Sequence, residues 1–236
     1  VRFYRKLSFF SKDFRNSLDN KVYCARTESD ASRFKQLDIA PENINVTGTM
    51  KYDNIDIIGN DEQKAYLQNL FGINNDDLVI VGGSTRNGEE GILINVFSVL
   101  QKEVCNLRLI IVPRHIDRTN NIIALIKKSG FRAVRKTDLK TKESTSLKDN
   151  TANTIIVIDT IGELIDIYAL ADCVFVGGSL SPYGGQNVME PAGLAKPVVF
   201  GPHMFNFEEE TRLLLKNEAA KSVNNESELL DAIRSL

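Results

Sequence analysis

From Leu78 onward, unbroken apolar runs alternate with segments of helical spacing, and this rhythm restricts the fold more than any other feature. The runs are Leu78–Val81, Leu107–Val112, Phe131–Arg135, Thr154–Ile158, Cys173–Val176 and 197–200. A strand that is apolar at successive positions is covered on both faces, as in a parallel sheet. Between the runs, the spacing predicts helices over Glu89 to about Lys102, 117–129 and Glu163–Ala171. Further helices start at Asn187, near Asn206 and at Glu226, and an earlier one over Gln63–Phe71 is stopped by Gly72. Strands alternating with helices give a doubly wound α/β domain with a parallel, Rossmann-like sheet.

The first fifty residues read differently. Phe3, Leu7, Phe10, Phe14 and Leu18 make a helical stripe interleaved with Arg2, Arg5, Lys6, Lys12 and Arg15. Packing on its own domain is the commoner fate of such a helix, and contact with an anionic membrane is the alternative. Val22–Ala25 predicts a short buried strand, Thr27 caps a helix to about Leu37, and Ile44–Thr47 predicts another strand. Thr47–Asp53 reads as a linker, and the polar Lys136–Asn153 as a loop. The opening VRFYRKLSFF reads as the interior of a longer protein.

At 42% hydrophobic and 25% charged, the 236 residues carry enough apolar surface for a packed core. A net charge of −2 supplies no basic field for nucleic acid. Cys24, Cys105 and Cys173 lie in apolar stretches without C-x-x-C spacing, which predicts buried, reduced thiols. No run reaches the roughly eighteen apolar residues of a membrane span. His115 and His203 lack metal-ligand spacing, and no metal site is expected.

In open α/β sheets, ligands bind beyond the carboxyl ends of the strands. Four loops leave such ends: Gly82–Gly88, Pro113–His115, Asp159–Glu163 and Gly177–Asn187. The last, with two Gly pairs, suits a phosphate or sugar held by backbone N–H groups. Ser84 and Thr85 either bond a phosphate or satisfy a tight turn. Asn87 with Glu90, Thr160 with Glu163, and Asn187 with Glu190 all have capping-box spacing. Cap and ligand roles stand even for the first two, while four nearby glycines favour a ligand role for Asn187 and Glu190. Arg114, always charged and bidentate, is the best phosphate or carboxylate partner. Neither the dinucleotide glycine motif nor a P-loop occurs.

Gly83-Ser-Thr-Arg-Asn-Gly-Glu-Glu90, Val112-Pro-Arg-His115, Asp159-Thr-Ile-Gly-Glu-Leu164, Phe175–Leu180, Gly184-Gly-Gln-Asn-Val-Met-Glu-Pro191 and Gly201–Phe207 stand in a definite order. In motifs, order and spacing the chain resembles the second half of the 3-deoxy-D-manno-octulosonic acid (Kdo) transferases, glycosyltransferases of GT-B fold. The resemblance implies a remnant of the N-terminal acceptor domain over 1–50, a linker over 51–60 and a donor-binding domain over 61–236. It implies that Pro113, Arg114, the backbone around Ile161, Gly162 and Glu163, and Asn187, Val188, Met189 and Glu190 hold CMP, with Ser84 and Thr85 beside them. Lys51, in the Gly-Thr-Met-Lys-Tyr-Asp segment, matches a lysine thought to stabilise the transition state. The family's general base, a Glu, would precede Val1, so this chain alone is expected to be inactive.

The expected reaction moves Kdo from CMP-Kdo to a hydroxyl of a lipid A precursor, without metal or other cofactor, at the cytoplasmic face of the inner membrane. Glu163 or Glu190 would accept from ribose hydroxyls or the cytosine amine. Arg86 and Gln186 depart from the histidines usual at those positions. The rivals are a GT-B enzyme with another donor, such as a UDP-sugar, and a nucleotide-binding module without catalysis.

Overall fold

The structure is a computed structural model and describes residues 21–48, 60–140 and 153–236. Residues 21–48 belong to one compact unit and 60–236 to a second. The helical stripe at 2–18, Lys51 and the 51–59 part of the linker lie outside the described residues.

In the first unit, β1 (Tyr23–Ala25) and β2 (Ile44–Val46) pair in parallel, joined by α1 (Glu28–Lys35) and a short turn of tighter helix at Pro41–Asn43. Thr27 caps α1, its hydroxyl accepting from the Asp30 N–H at 3.0 Å. The expected buried strand is buried only at Ala25; Val22 and Cys24 are exposed. With one short helix against two strands, the other face of this pair has nothing described to cover it.

The second unit begins with α2 (Asp61–Phe71), capped by Asn60 and stopped by Gly72 in the left-handed region. Then come β3 (Leu78–Thr85), α3 (Glu89–Leu100), β4 (Leu107–Pro113), α4 (Thr119–Lys128), β5 (Arg132–Arg135) and α5 (Lys136–Lys140). They are followed by β6 (Thr154–Val157), α6 (Leu164–Ala169), β7 (Cys173–Val176), α7 (Met189–Gly193), β8 (Val198–Phe200), α8 (Glu208–Lys216), β9 (Ala220–Ser222) and α9 (Glu226–Arg234). The seven strands β3 to β9 form one sheet in the order β5-β6-β4-β3-β7-β8-β9, every pairing parallel.

The apolar runs are continuous because both faces are covered. Val79, Val81, Ile110, Ile156, Val174 and Val176 pack with Leu67, Phe71, Ile167 and Leu214 on one face. Ile80, Leu109, Ile111, Ile155, Val157 and Phe175 pack with Leu93, Phe97, Ile126 and Leu229 on the other. Successive side chains of a strand point to opposite faces, so one run feeds two cores.

Four points differ from the sequence expectation. The segment from Gly82 to Thr85 was expected to be loop and is strand, because Gly82 and Gly83 still pair with both β4 and β7. Their missing side chains leave room for Leu93 and for Tyr168. β9, with Lys221 and Ser222 exposed at the sheet edge, has no apolar run to announce it. The polar 136–153 segment starts with α5, not with loop. Of the cysteines only Cys173 is buried; Cys105 is exposed in the turn before β4.

The chain goes from β3 to β4 on one side and later crosses back to place β7 on the other. The order reverses between β3 and β7, so a crevice opens beyond their carboxyl ends.

Candidate functional site

Since all pairings are parallel, the four loops do leave one edge of the sheet. They are stitched together there: the Gly177 N–H donates to Gly83 O at 2.8 Å and the Arg114 N–H to Thr85 O at 3.1 Å. A Cβ on Gly177 would lie 2.6 Å from both the Ser84 carbonyl oxygen and the Thr85 Cα. Only glycine allows this approach.

Glu89, the first residue of α3, is the centre of the assembly and was not singled out in the sequence. It is 1% exposed. Its Oε2 accepts from the Arg86 and Gly178 N–H groups, both at 2.8 Å. Its Oε1 accepts from Ser179 at 2.9 Å and Leu180 at 3.0 Å. The backbone nest expected to cradle a ligand phosphate is therefore filled by the protein's own carboxylate. The signal was an acidic pair opening a helix after Gly88, but the partners lie some ninety residues on.

Glu90 is held too. The Thr85 hydroxyl donates to its Oε1 at 2.9 Å, and Arg118 grips both oxygens at 2.7 and 3.0 Å. That grip pushes the Arg118 pKa up further. Glu90 thus makes no capping box with Asn87, and Gly88 occupies the cap position. Thr85 is fully buried, and its hydroxyl is turned to Glu90. Ser84 is buried at φ 52°, at the bulge that ends the regular pairing with β4.

Beyond β7, Asn187 donates to Glu190 Oε1 at 2.9 Å and accepts from the Met189 N–H at 3.0 Å. Both side chains stay half-buried at the start of α7. Val188, expected at the ligand, is fully buried in the core, and Met189 packs against that core. Gly184 and Gly185 have φ of 91° and 75°. A Cβ on them would strike Asn206 and Met204, so these glycines serve the packing of loop on loop.

Beyond β6, Gly162 turns at φ 90° and Ile161 is 81% exposed. Lys136, fully buried, places its ammonium on Glu163, which also accepts from the Thr160 hydroxyl. Asp159 accepts from the Thr137 N–H at 3.1 Å and hydroxyl at 2.5 Å. The Glu163 carboxylate is thus committed to its own neighbours.

Pro113 is buried, while Arg114 is exposed and makes no ion pair among the described residues. Beside it the Arg86 guanidinium stacks 4.9 Å above the Tyr183 ring and donates to His115 Nε2 at 2.8 Å.

This sheet with its crevice is also found in solved structures. The C-terminal CMP-Kdo binding domain of WaaA from Acinetobacter baumannii superposes with a TM-score of 0.64 at 28% identity, over 72% of this chain and 84% of that one. A 3-deoxy-D-manno-octulosonic acid transferase from Haemophilus influenzae is 34% identical over 211 residues, which is 89% of this chain and 47% of the relative. Over most of its length the chain is similar in sequence to Kdo transferases. A transferase of the same name from Aquifex aeolicus is 27% identical over the whole chain, covering 59% of the relative. The chain therefore spans about half the length of the curated relatives it matches. Its fold is that of GT-B glycosyltransferases, and a Staphylococcus aureus MnaA–UDP structure at 13% identity and TM-score 0.57 shares the fold alone. No protein-family model matches the chain.

Proposed function

We propose that residues 61–236 are the donor-binding half of a glycosyltransferase that moves Kdo from CMP-Kdo to a hydroxyl of a lipid A precursor. The observation that carries this reading is Arg114, an exposed guanidinium without an ion pair at the end of β4, in a fold shared with a CMP-Kdo binding domain. As the bond between C2 of Kdo and the phosphate oxygen breaks, negative charge grows on the departing CMP phosphate. Arg114 meets that charge with two parallel N–H groups. Asn187 and Glu190, fixed on each other, accept from the ribose hydroxyls. The backbone at Ile161, Gly162 and Glu163 reads the cytosine edge.

One phosphate group is a small enough charge for Arg114 to neutralise without a divalent ion. Lys51 stabilises the same transition state. The acceptor's hydroxyl proton goes to a general base within hydrogen-bond reach. The acceptor is presented at the cytoplasmic face of the inner membrane, and the reaction takes place there.

Titration calorimetry with CMP and UDP tests the reading. CMP binding, weakened tenfold or more in Arg114→Ala and unaffected by EDTA, is expected. Preference for UDP sinks it in favour of another donor, and unchanged affinity in Arg114→Ala removes the phosphate assignment.

A further inference from the structure

Arg86 lies at the carboxyl end of β3, where the strand order reverses, and it is held on several sides by neutral groups. Its guanidinium stacks on Tyr183, one Nη donates to His115, and its Cγ would lie 3.6 Å from a Cβ on Gly178. A guanidinium has no acceptor, so His115 Nε2 must be the accepting nitrogen and its ring proton sits on Nδ1. None of these neighbours neutralises the charge. Arg108, Arg118 and Arg234 pair with Asp77, Glu90 and Glu103, whereas the Arg86 guanidinium makes no ion pair among the described residues, Glu89 being bonded to its backbone N–H instead. Its Nε is buried with no acceptor within hydrogen-bond reach among them. Taking a cation partly out of water without a counter-charge is costly, and a fold holds one so firmly where an anion is to arrive.

A second uncompensated arginine lies next to it. Arg114 follows the neighbouring strand, and its N–H is bonded to Thr85, the residue before Arg86. The donor carries two anions: the CMP phosphate and the carboxylate of the octulosonic acid, attached to the same carbon. We propose that the two arginines divide these anions, and that Arg86 recognises the sugar carboxylate and thereby selects a sugar acid. Arg114, exposed and untethered, follows the phosphate as charge develops on it. Arg86, clamped between ring and imidazole, presents a fixed fork of N–H groups, the geometry that a planar carboxylate matches. A neutral nucleotide sugar leaves that fork unpaired, which is a penalty against the wrong donor. The assignment rests on the donor proposed above.

The test compares three ligands: CMP, a non-hydrolysable phosphonate analogue of CMP-Kdo, and the same analogue with its carboxylate converted to the carboxamide. The wild-type chain is expected to prefer the carboxylate analogue over the carboxamide by about tenfold or more. Arg86→Met abolishes that preference and leaves CMP affinity within about twofold, while Arg86→Lys keeps part of it. Arg114→Met weakens all three ligands. Retention of the preference in Arg86→Met overturns the assignment, as does an equal loss for CMP and the analogue, which would put Arg86 on the phosphate. A wild-type chain that binds none of the three overturns the donor reading together with it.

Discussion

Replacing Glu89 by Gln changes one atom of the side chain and should unsettle the whole crevice. Each carboxylate oxygen accepts two backbone N–H groups, all four between 2.8 and 3.0 Å. Glutamine keeps one oxygen and puts an NH₂ group where the other stood. Whichever way the amide turns, two N–H donors face another donor. A buried donor left unpaired costs about 1–3 kcal/mol, so the pair costs about 2–6 kcal/mol. In a domain of this size each kcal/mol lowers Tm by about 2–4 °C, which predicts a fall of roughly 5–20 °C. The residue is 1% exposed, so water has little access to repair the loss. Thermal and denaturant melts of the purified chain measure it. CMP affinity should fall as well, because Gly178, Ser179 and Leu180 lead into the loop that carries Asn187. A Glu89→Gln protein melting within about 2 °C of wild type would refute the reasoning.

Tyr168 is fully buried with its hydroxyl unpartnered among the described residues, and burial near Glu190 pushes its pKa up. Tyr168→Phe is expected to stabilise by about 1 kcal/mol, and a lower melting temperature would count against the accounting. In the native protein, Ellman's reagent should titrate Cys24 and Cys105 but reach Cys173 only on unfolding; three fast thiols would contradict the packing. Burial, with Asp172 adding and Lys221 opposing, pushes the Cys173 thiol from 9.0 up to about 12. Between those values the unfolded chain has lost a proton that the native chain keeps, so the group's stabilisation is whole below pH 9 and is lost as pH rises toward 12. The stability difference between wild type and Cys173→Ala should therefore narrow above pH 9, whereas a constant difference refutes the shift. Gly201→Ala would bring a Cβ to 2.3 Å from the Ser179 carbonyl, backbone against backbone. A cost of about 1–3 kcal/mol or more follows, and an unaffected melt would show that the two segments part freely.

The sheet was legible because its determinants are local. Val79 to Val81 and Ile155 to Val157 announce a two-faced strand without reference to any partner. Asn187 and Glu190 were legible for the same reason: three residues apart, they find each other whatever the tertiary fold. What could not be read depends on distance along the chain. Glu89 finds its donors some ninety residues away, and Arg118 reaches Glu90 across twenty-eight. Only the sheet order brings them together. The buried Lys136 looked like one more charge in a polar stretch, because its partner Glu163 follows a separate strand. β9 was invisible because an edge strand with a polar outer part needs no apolar run.

The glycines show how an identical sequence signal changes meaning in three dimensions. Gly177 and Gly178 invite a phosphate on sequence grounds, since small residues after a buried strand expose N–H groups. Here the N–H of Gly178 and those of the next two residues already bind a carboxylate. An anion brought to the same place would meet the charge of Glu89 instead of free donors, and like charges at hydrogen-bonding distance repel. The internal carboxylate closes the backbone route to anion recognition and leaves side chains to do it. Among the described residues, the arginines at this edge whose guanidinium makes no ion pair are Arg86 and Arg114, on adjacent strand ends. Because side chains, unlike a nest of amides, can be placed one for each anion, the proposed division of anions between Arg86 and Arg114 would let the site tell a phosphate from a carboxylate on the same donor. On that proposal Glu89 would add to selectivity by filling the backbone nest that could otherwise accept any anion.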